Sequence, residues 1–255
     1  MISVQTIPPY RKKTVKPKRN RRVLKWVIFF FFVIAIIAFF NTPISRVTDI
    51  QISGNHFLAD KEIYEQGNLH LNMQYFFLFP STIEGKLAEL KEIKNVKIQK
   101  VFPGHVKVSI VEYQPIAFLN NKKNGWLPLL ENGYLIQRPL QDQFISGPLI
   151  TEWKDQEQLT KLADELKKVQ PHILEEISEI QQNGQVDDPN RLLLFMNEGY
   201  KVHVPLEKLS TNMNLYPSII ENIKDKTMNL GDIYMLESIR FEEFKNSGDQ
   251  KNEGQ

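Results

Sequence analysis

The side chains able to do chemistry are few and scattered. The five histidines are His56, His70, His105, His172 and His203. None stands with a carboxylate or another histidine at a metal-ligating spacing such as H-x-x-x-H. His105 and His203 fall on the polar phase of alternating segments, where a histidine is ordinarily solvated. The adjacent carboxylates Asp187 and Asp188 could in principle share acid and base work. They are followed by Pro189 and Asn190, and that composition reads as a turn. The chain has no cysteine, which removes thiolate nucleophiles, disulfides and cysteine-based metal sites together. It has no G-x-S-x-G elbow and no phosphate-cradling glycine pattern. Gly54, Gly104, Gly133, Gly199 and Gly231 are isolated and read as turn residues. Ser81 belongs to a local motif, S-x-x-E with Glu84, which a helix cap explains. The sequence therefore offers no catalytic residue, metal site or cofactor site, and the expectation is a protein that is not an enzyme.

What the sequence does specify is position relative to a membrane. Residues 1–25 hold nine Lys or Arg and no acidic residue, leaving 23 basic against 30 acidic residues beyond them. A basic head on an acidic body does not suit nucleic-acid binding, which needs basic groups on the folded surface. Trp26 to Phe40 then reads WVIFFFFVIAIIAFF, without a polar residue. Spanning a bilayer takes about 20 residues. Val23 and Leu24 extend the run, and Lys25 can snorkel. Trp26 and Phe40 mark the ends of the anchor, with Asn41, Thr42 and Pro43 beyond it. No small-residue cleavage site follows. The positive-inside rule then gives a single-pass type II membrane protein. Residues 1–23 form a basic cytoplasmic tail, 24–42 span, and the rest lies outside the cell.

The outer part opens with a strand over 47–53, VTDIQIS, and a turn at Gly54-Asn55. Asp60 is placed to cap a short helix ending at Gly67. QYFFLF at 74–79 could fill a core or form a binding surface. Ser81 and Glu84 predict the start of a second helix, with Ile83, Leu87 and Leu90 on one face. Strands 96–102 and 105–112 flank the Pro103-Gly104 turn, with Val106, Val108 and Ile110 in phase.

Strands predominate in the next region. A hairpin is expected around Glu131-Asn132-Gly133, and a helix over 153–169 with Leu159, Leu162, Leu166 and Val169 on one stripe. Further strands are expected at 176–181, 192–196 and 200–204. Leu209, Met213, Tyr216, Ile220 and Ile223 recur at helical spacing. Ile233–Phe241 reads as a last strand or pair of strands, and 245–255 as a flexible tail. A terminal strand at a sheet edge has free backbone groups that can pair with a partner, and Tyr234, Leu236 and Glu237 would lie along such an edge.

Strand, helix, helix, strand, strand within about 65 residues resembles the polypeptide-transport-associated (POTRA) domain. Nearly the whole chain resembles the bacterial cell-division family DivIB/FtsQ, in its Gram-positive DivIB form. The features are the basic tail with one anchor, FLFPSTIEGKLAEL at 77–90, Phe102-Pro103-Gly104, EYQPIAF at 112–118, Gly125-Trp126, Leu215-Tyr216-Pro217 and the strand after Gly231. The last strand departs from the family's usual Ile-Asp-Leu, reading Ile233-Tyr234-Met235.

The resemblance implies an α+β protein. Its anchor is followed by a POTRA-like domain at 45–112 and a mainly antiparallel β domain with flanking helices at 113–244. It implies a non-catalytic divisome scaffold at the septum, binding FtsL-like and DivIC/FtsB-like membrane proteins and reaching to a septal penicillin-binding protein. By position, the partner would meet Ile233, Tyr234, Leu236, Glu237, Ile239, Arg240, Phe241 and Lys208. A POTRA-type receptor for exported polypeptides is the alternative. Tandem repeats or a following barrel would favour it, and the sequence has neither.

Overall fold

The computed structural model describes residues 21–122, 125–138, 146–153, 157–183, 190–227 and 229–244. The basic stretch 1–20, the Asp187-Asp188 turn and the tail 245–255 lie outside them. Helix α1, Arg21–Phe40, has no buried residue. At 1.5 Å per residue its 20 residues reach about 30 Å, long and apolar enough to cross a membrane.

A small unit follows. It comprises strand β1 (Asp49–Ser53), helices α2 (Asp60–Gly67) and α3 (Pro80–Leu87), and strands β2 (Ile93–Val101) and β3 (His105–Glu112). β3 is central, parallel to β1 and antiparallel to β2. Its alternation buries Val106, Val108 and Ile110. They meet Ile63 of α2 and Ile83 and Leu87 of α3 in one apolar cluster. Each such side chain contributes ~1.5–3 kcal/mol by leaving water. At the close of the first turn, Gly54 has φ +84, and a Cβ there would stand 2.1 Å from the Ile110 carbonyl oxygen. Only glycine satisfies both demands.

Both helix starts differ from expectation. Ala59, not Asp60, is the residue before α2, and its N–H donates to the Glu62 carboxylate at 2.9 Å. Asp60 instead accepts from the Asn55 amide at 2.8 Å. Ser81 makes no cap. Pro80 occupies the first turn of α3 and moves the boundary back to Phe79. Glu84 reaches across to accept the Ile98 N–H at 2.8 Å, which ties α3 to β2.

The larger sheet is built from β4 (Pro115–Asn121), β5 (Gly125–Leu130), β6 (Leu149–Thr151), β7 (Ile177–Gln182), β8 (Arg191–Met196), β9 (Lys201–Pro205), β10 (Gly231–Met235) and β11 (Ile239–Glu243). Their order is β11-β10-β9-β8-β7-β6-β4-β5. The sheet is mixed: β4–β6, β6–β7 and β9–β10 run parallel, and the other four pairings are antiparallel. Parallel neighbours need a crossover. Helices α4 (Gln158–Leu166) and α5 (Pro171–Glu175) supply one between β6 and β7. Helices α6 (Leu209–Met213) and α7 (Tyr216–Lys224) supply another between β9 and β10.

Leu159, Leu162, Leu166 and Val169 are buried as the stripe predicts. The 209–223 periodicity also buries its five residues, but the helix is broken in two. Pro217 lies in the first turn of α7, where its ring does not permit a continuous helix from α6.

The two units are joined by side chains as well as by the chain. Lys94 pairs with Glu131 at 2.8 Å, and Arg138 reaches Glu62 at 2.9 Å and Glu92 at 3.7 Å. Glu112, at the junction, is buried, and its carboxylate accepts the N–H groups of His56, Phe57 and Leu58 at 2.9, 2.8 and 3.0 Å.

Candidate partner-binding edge

The last two strands form a hairpin at one end of the larger sheet. β10 is held on both sides, parallel to β9 and antiparallel to β11. Among the described residues the open edge at this end of the sheet is therefore β11, and Ile233 and Tyr234 lie one strand inside it. Leu236 and Glu237 are in the turn between the two strands, so the edge expected along Tyr234, Leu236 and Glu237 is shifted to Ile239–Glu243.

Alternation sorts the side chains. Ile233 and Met235 face the core and are buried. Phe241 is opposite Ile233, half-buried against Tyr200 with ring centroids 6.4 Å apart. Ile239 is opposite Met235 but lies at the rim of the sheet, 57% exposed. The outer face carries the other phase. Leu193, His203, Tyr234 and Arg240 are successive cross-strand neighbours on β8, β9, β10 and β11. His203 and Tyr234 stack with centroids 4.4 Å apart, and the Arg240 guanidinium lies 4.7 Å from the same phenol ring. Cross-strand pairs of this kind stabilise a sheet as well as shaping its surface.

Carboxylates flank the stack. Asp232 meets His203 Nε2 at 2.9 Å, and Glu242 meets Arg240 at 3.2 Å. Burial, followed by the nearby Asp232 and Glu242 charges, pushes the Tyr234 hydroxyl above its ordinary pKa, so it stays protonated at neutral pH. His203 is thus a partnered histidine rather than a freely solvated one. His105 is likewise near a carboxylate, 3.3 Å from Asp49. Neither partnership was visible in sequence, because it depends on strand register.

A groove of about 630 Å³ opens beside this ladder, lined by Arg191, Pro205, Lys208, Tyr234, Leu236, Glu237, Ser238 and Arg240. It brings together five of the residues singled out in the sequence: Lys208, Tyr234, Leu236, Glu237 and Arg240. It does not include the core residue Ile233. Arg191, Pro205 and Ser238 were missed. The signal for the first two was the polar phase of β8 and β9, which only the register Arg191 to Pro205 turns into a shared surface.

The hairpin is pinned from behind. Asn212 of α6 donates to the Met235 carbonyl at 2.7 Å. At its far end the Glu243 carboxylate accepts from Thr227 and Asn229 at 2.8 and 3.0 Å. Gly231, which opens β10 rather than sitting in a turn, allows the close approach of β11. A Cβ there would stand 2.1 Å from the Glu242 carbonyl oxygen. Trp26 and Phe40, the expected anchor residues, lie in α1 far along the chain from this edge. Among the described residues, no group of three or more His, Asp or Glu side chains could hold a metal ion.

Similarity to known proteins covers most of the chain. The family model described as "POTRA domain, FtsQ-type" matches residues 45–113, and "Cell division protein FtsQ/DivIB, C-terminal" matches residues 117–238. The chain is 30% identical to cell division protein DivIB of Brevibacillus brevis over 88% of this chain and 85% of that protein. It is 32% identical to DivIB of Bacillus cytotoxicus over 84% of each, and 29% identical to DivIB of Bacillus subtilis over 96% and 92%. The solved major extracytoplasmic domain of the trans isomer of DivIB from Geobacillus stearothermophilus aligns with 46% of this chain and 98% of that one, at 25% identity and a TM-score of 0.39. An anchor-length helix, a POTRA-type unit and a larger mixed sheet, with relatives matched along most of their length, make this chain a member of the FtsQ/DivIB family of cell-division proteins.

Proposed function

We propose that this chain is a non-catalytic divisome scaffold that supports septum formation by capturing a partner at the β11 edge. The observation that carries this reading is the last hairpin. It offers an open strand edge, an exposed Ile239 at the rim and a groove beside it. Strand addition would supply backbone hydrogen bonds, while Tyr234, Leu236, Glu237, Arg240 and Lys208 would select the side chains that enter. Ile233 and Phe241 act from beneath by holding the hairpin to the core.

The family resemblance supports FtsL-like and DivIC/FtsB-like membrane proteins as partners, with a septal penicillin-binding protein as a further contact. In this reading residues 1–23 are cytoplasmic, 24–42 span the membrane, and 45–112 and 113–244 fold outside it. The full chain crosslinked in dividing cells and purified should recover FtsL-like and DivIC-like proteins. Recovery of exported polypeptides without division proteins would favour a receptor role and contradict the scaffold.

A further inference from the structure

The aromatic run at 74–79 is divided in an unexpected way. Tyr75 and Leu78 are buried in the small unit's core, whereas Phe76, Phe77 and Phe79 are 40%, 64% and 62% exposed. Phe102, in the turn between β2 and β3, is exposed beside them, with its ring centroid 6.2 Å from that of Tyr75. Apart from His70 and the phenol of Tyr75, no residue from Asn68 to Ile83 is ionisable, and none is an Asp, Glu, Lys or Arg. This apolar patch, with the Lys100 ammonium beside it on the Leu78 carbonyl, is left outside the core and needs something to cover it.

Its location identifies the cover. The Phe77 ring stacks on Phe40, the last residue of α1, with centroids 5.6 Å apart and planes 5° from parallel. Phe76 packs against Phe39 at 5.5 Å and Phe40 at 6.1 Å. These rings therefore stand level with the final turn of α1. Counted from Val23, with Lys25 snorkelling, the apolar stretch to Phe40 reaches about 27 Å, no more than the ~30 Å of hydrocarbon it must cross. The final turn thus has to sit in the membrane boundary rather than above it.

The connection between helix and loop is stitched, not slack. The Phe40 carbonyl accepts from Ser45 Oγ at 2.9 Å and from the Gln74 amide at 3.1 Å. Tyr75 N–H donates to the Ser45 carbonyl at 2.9 Å, and Lys100 Nζ donates to the Leu78 carbonyl at 3.0 Å.

We infer that the Phe76–Phe79 loop is seated in the outer interface of the bilayer, so that the small unit lies on the membrane surface with Phe77 and Phe79 among the lipids. This rests on the reading of α1 as a spanning helix. Aromatic rings favour that interface, and a surface-lying apolar face gains by burial at the headgroup boundary. The small unit is thereby fixed in orientation, and the larger sheet is carried at a set height above the membrane.

The absence of cysteine makes a direct test simple. Full-length chains carrying Ile34→Cys, Phe77→Cys, Phe79→Cys or Glu221→Cys are labelled with a nitroxide and placed in phosphatidylethanolamine/phosphatidylglycerol vesicles. Collision of each label with oxygen and with a water-soluble nickel chelate is then measured. Labels at 77 and 79 should be several-fold less accessible to nickel than the label at exposed position 221, and oxygen-rich like the label at 34. If 34 is protected while 77 and 79 match 221, the loop stands in water and the inference fails. If 77 and 79 are shielded from both reagents, a second protein copy covers them and the lipid assignment is overturned. If 34 itself is open to nickel, the spanning reading fails and takes the inference with it.

Discussion

The imidazole of His203 lies face to face with the phenol ring of Tyr234, centroids 4.4 Å apart and planes 8° from parallel. Arg240 closes the other side of the ladder on the edge strand. A rigid aromatic residue held in a groove by its neighbours is the kind of residue that dominates an interface. Replacing Tyr234 and Leu236 together by alanine should weaken partner capture by about tenfold or more, ~1.4 kcal/mol, and lower stability only by the roughly 0.2–1 kcal/mol that each lost cross-strand contact supplies. A binding titration against the outer part of a DivIC-like protein, beside a thermal melt, checks both. Unchanged affinity would remove the groove from the interface.

Gly231 controls how closely β11 can approach. A valine there would drive its Cβ toward the Glu242 carbonyl, so β11 must move away or peel. Strain of this sort costs roughly 1–3 kcal/mol. Hydrogen exchange of the 239–243 amides should rise in Gly231→Val while that of β3 amides stays as in the parent. Unaltered protection at 239–243 would mean that the hairpin adapts without loss.

Glu112 ties the end of β3 to the loop before α2, within the small unit, through three backbone donors. Glu112→Ala leaves those N–H groups without their acceptor at a buried site, and about 3 kcal/mol or more of stability should be lost. The urea midpoint, read with a probe in the small unit, measures this. A shift of well under ~1 kcal/mol would show that water replaces the carboxylate.

Glu165 links α4 to α6, accepting from Ser210 Oγ and N–H at 2.6 and 3.1 Å and pairing with Lys168 at 2.6 Å. Burial alone would raise its pKa, but the hydrogen bonds from Lys168 and Ser210 outweigh burial and hold it below the ordinary 4.5. A depressed folded pKa stabilises above the unfolded value, and that stability is lost as pH falls through the folded value. Glu165→Gln should therefore be less stable than the parent at neutral pH and converge on it in acid. Denaturation midpoints from neutral pH to below 4.5 test this, and a gap that does not narrow in acid would contradict it.

Local pattern made much of the fold legible. The alternation of Val106, Val108 and Ile110 and the stripe Leu159, Leu162, Leu166 each fixed an element and its buried face. What sequence did not reveal were long-range choices. Ser81 and Glu84 have the spacing of a cap, yet Pro80 moves the helix start and Ile98 takes the glutamate. Glu112 finds its donors 54 to 56 residues away, beyond the reach of any local motif. The parallel pairing of β9 with β10 depends on the α6–α7 crossover, and with it the location of the edge. A hairpin placed Ile239, not Tyr234, at the rim, while the register assembled Lys208, Tyr234 and Arg240 into one groove.

The central claim is that a partner adds to the β11 edge. The most direct measurement places a photoreactive phenylalanine at Ile239, and at Ser218 on exposed α7 as a reference, in the full chain in dividing cells. Irradiation should join Ile239 to an FtsL-like or DivIC-like protein and leave Ser218 without that product. Crosslinks to such proteins from Ser218 but not from Ile239 would contradict strand addition at this edge.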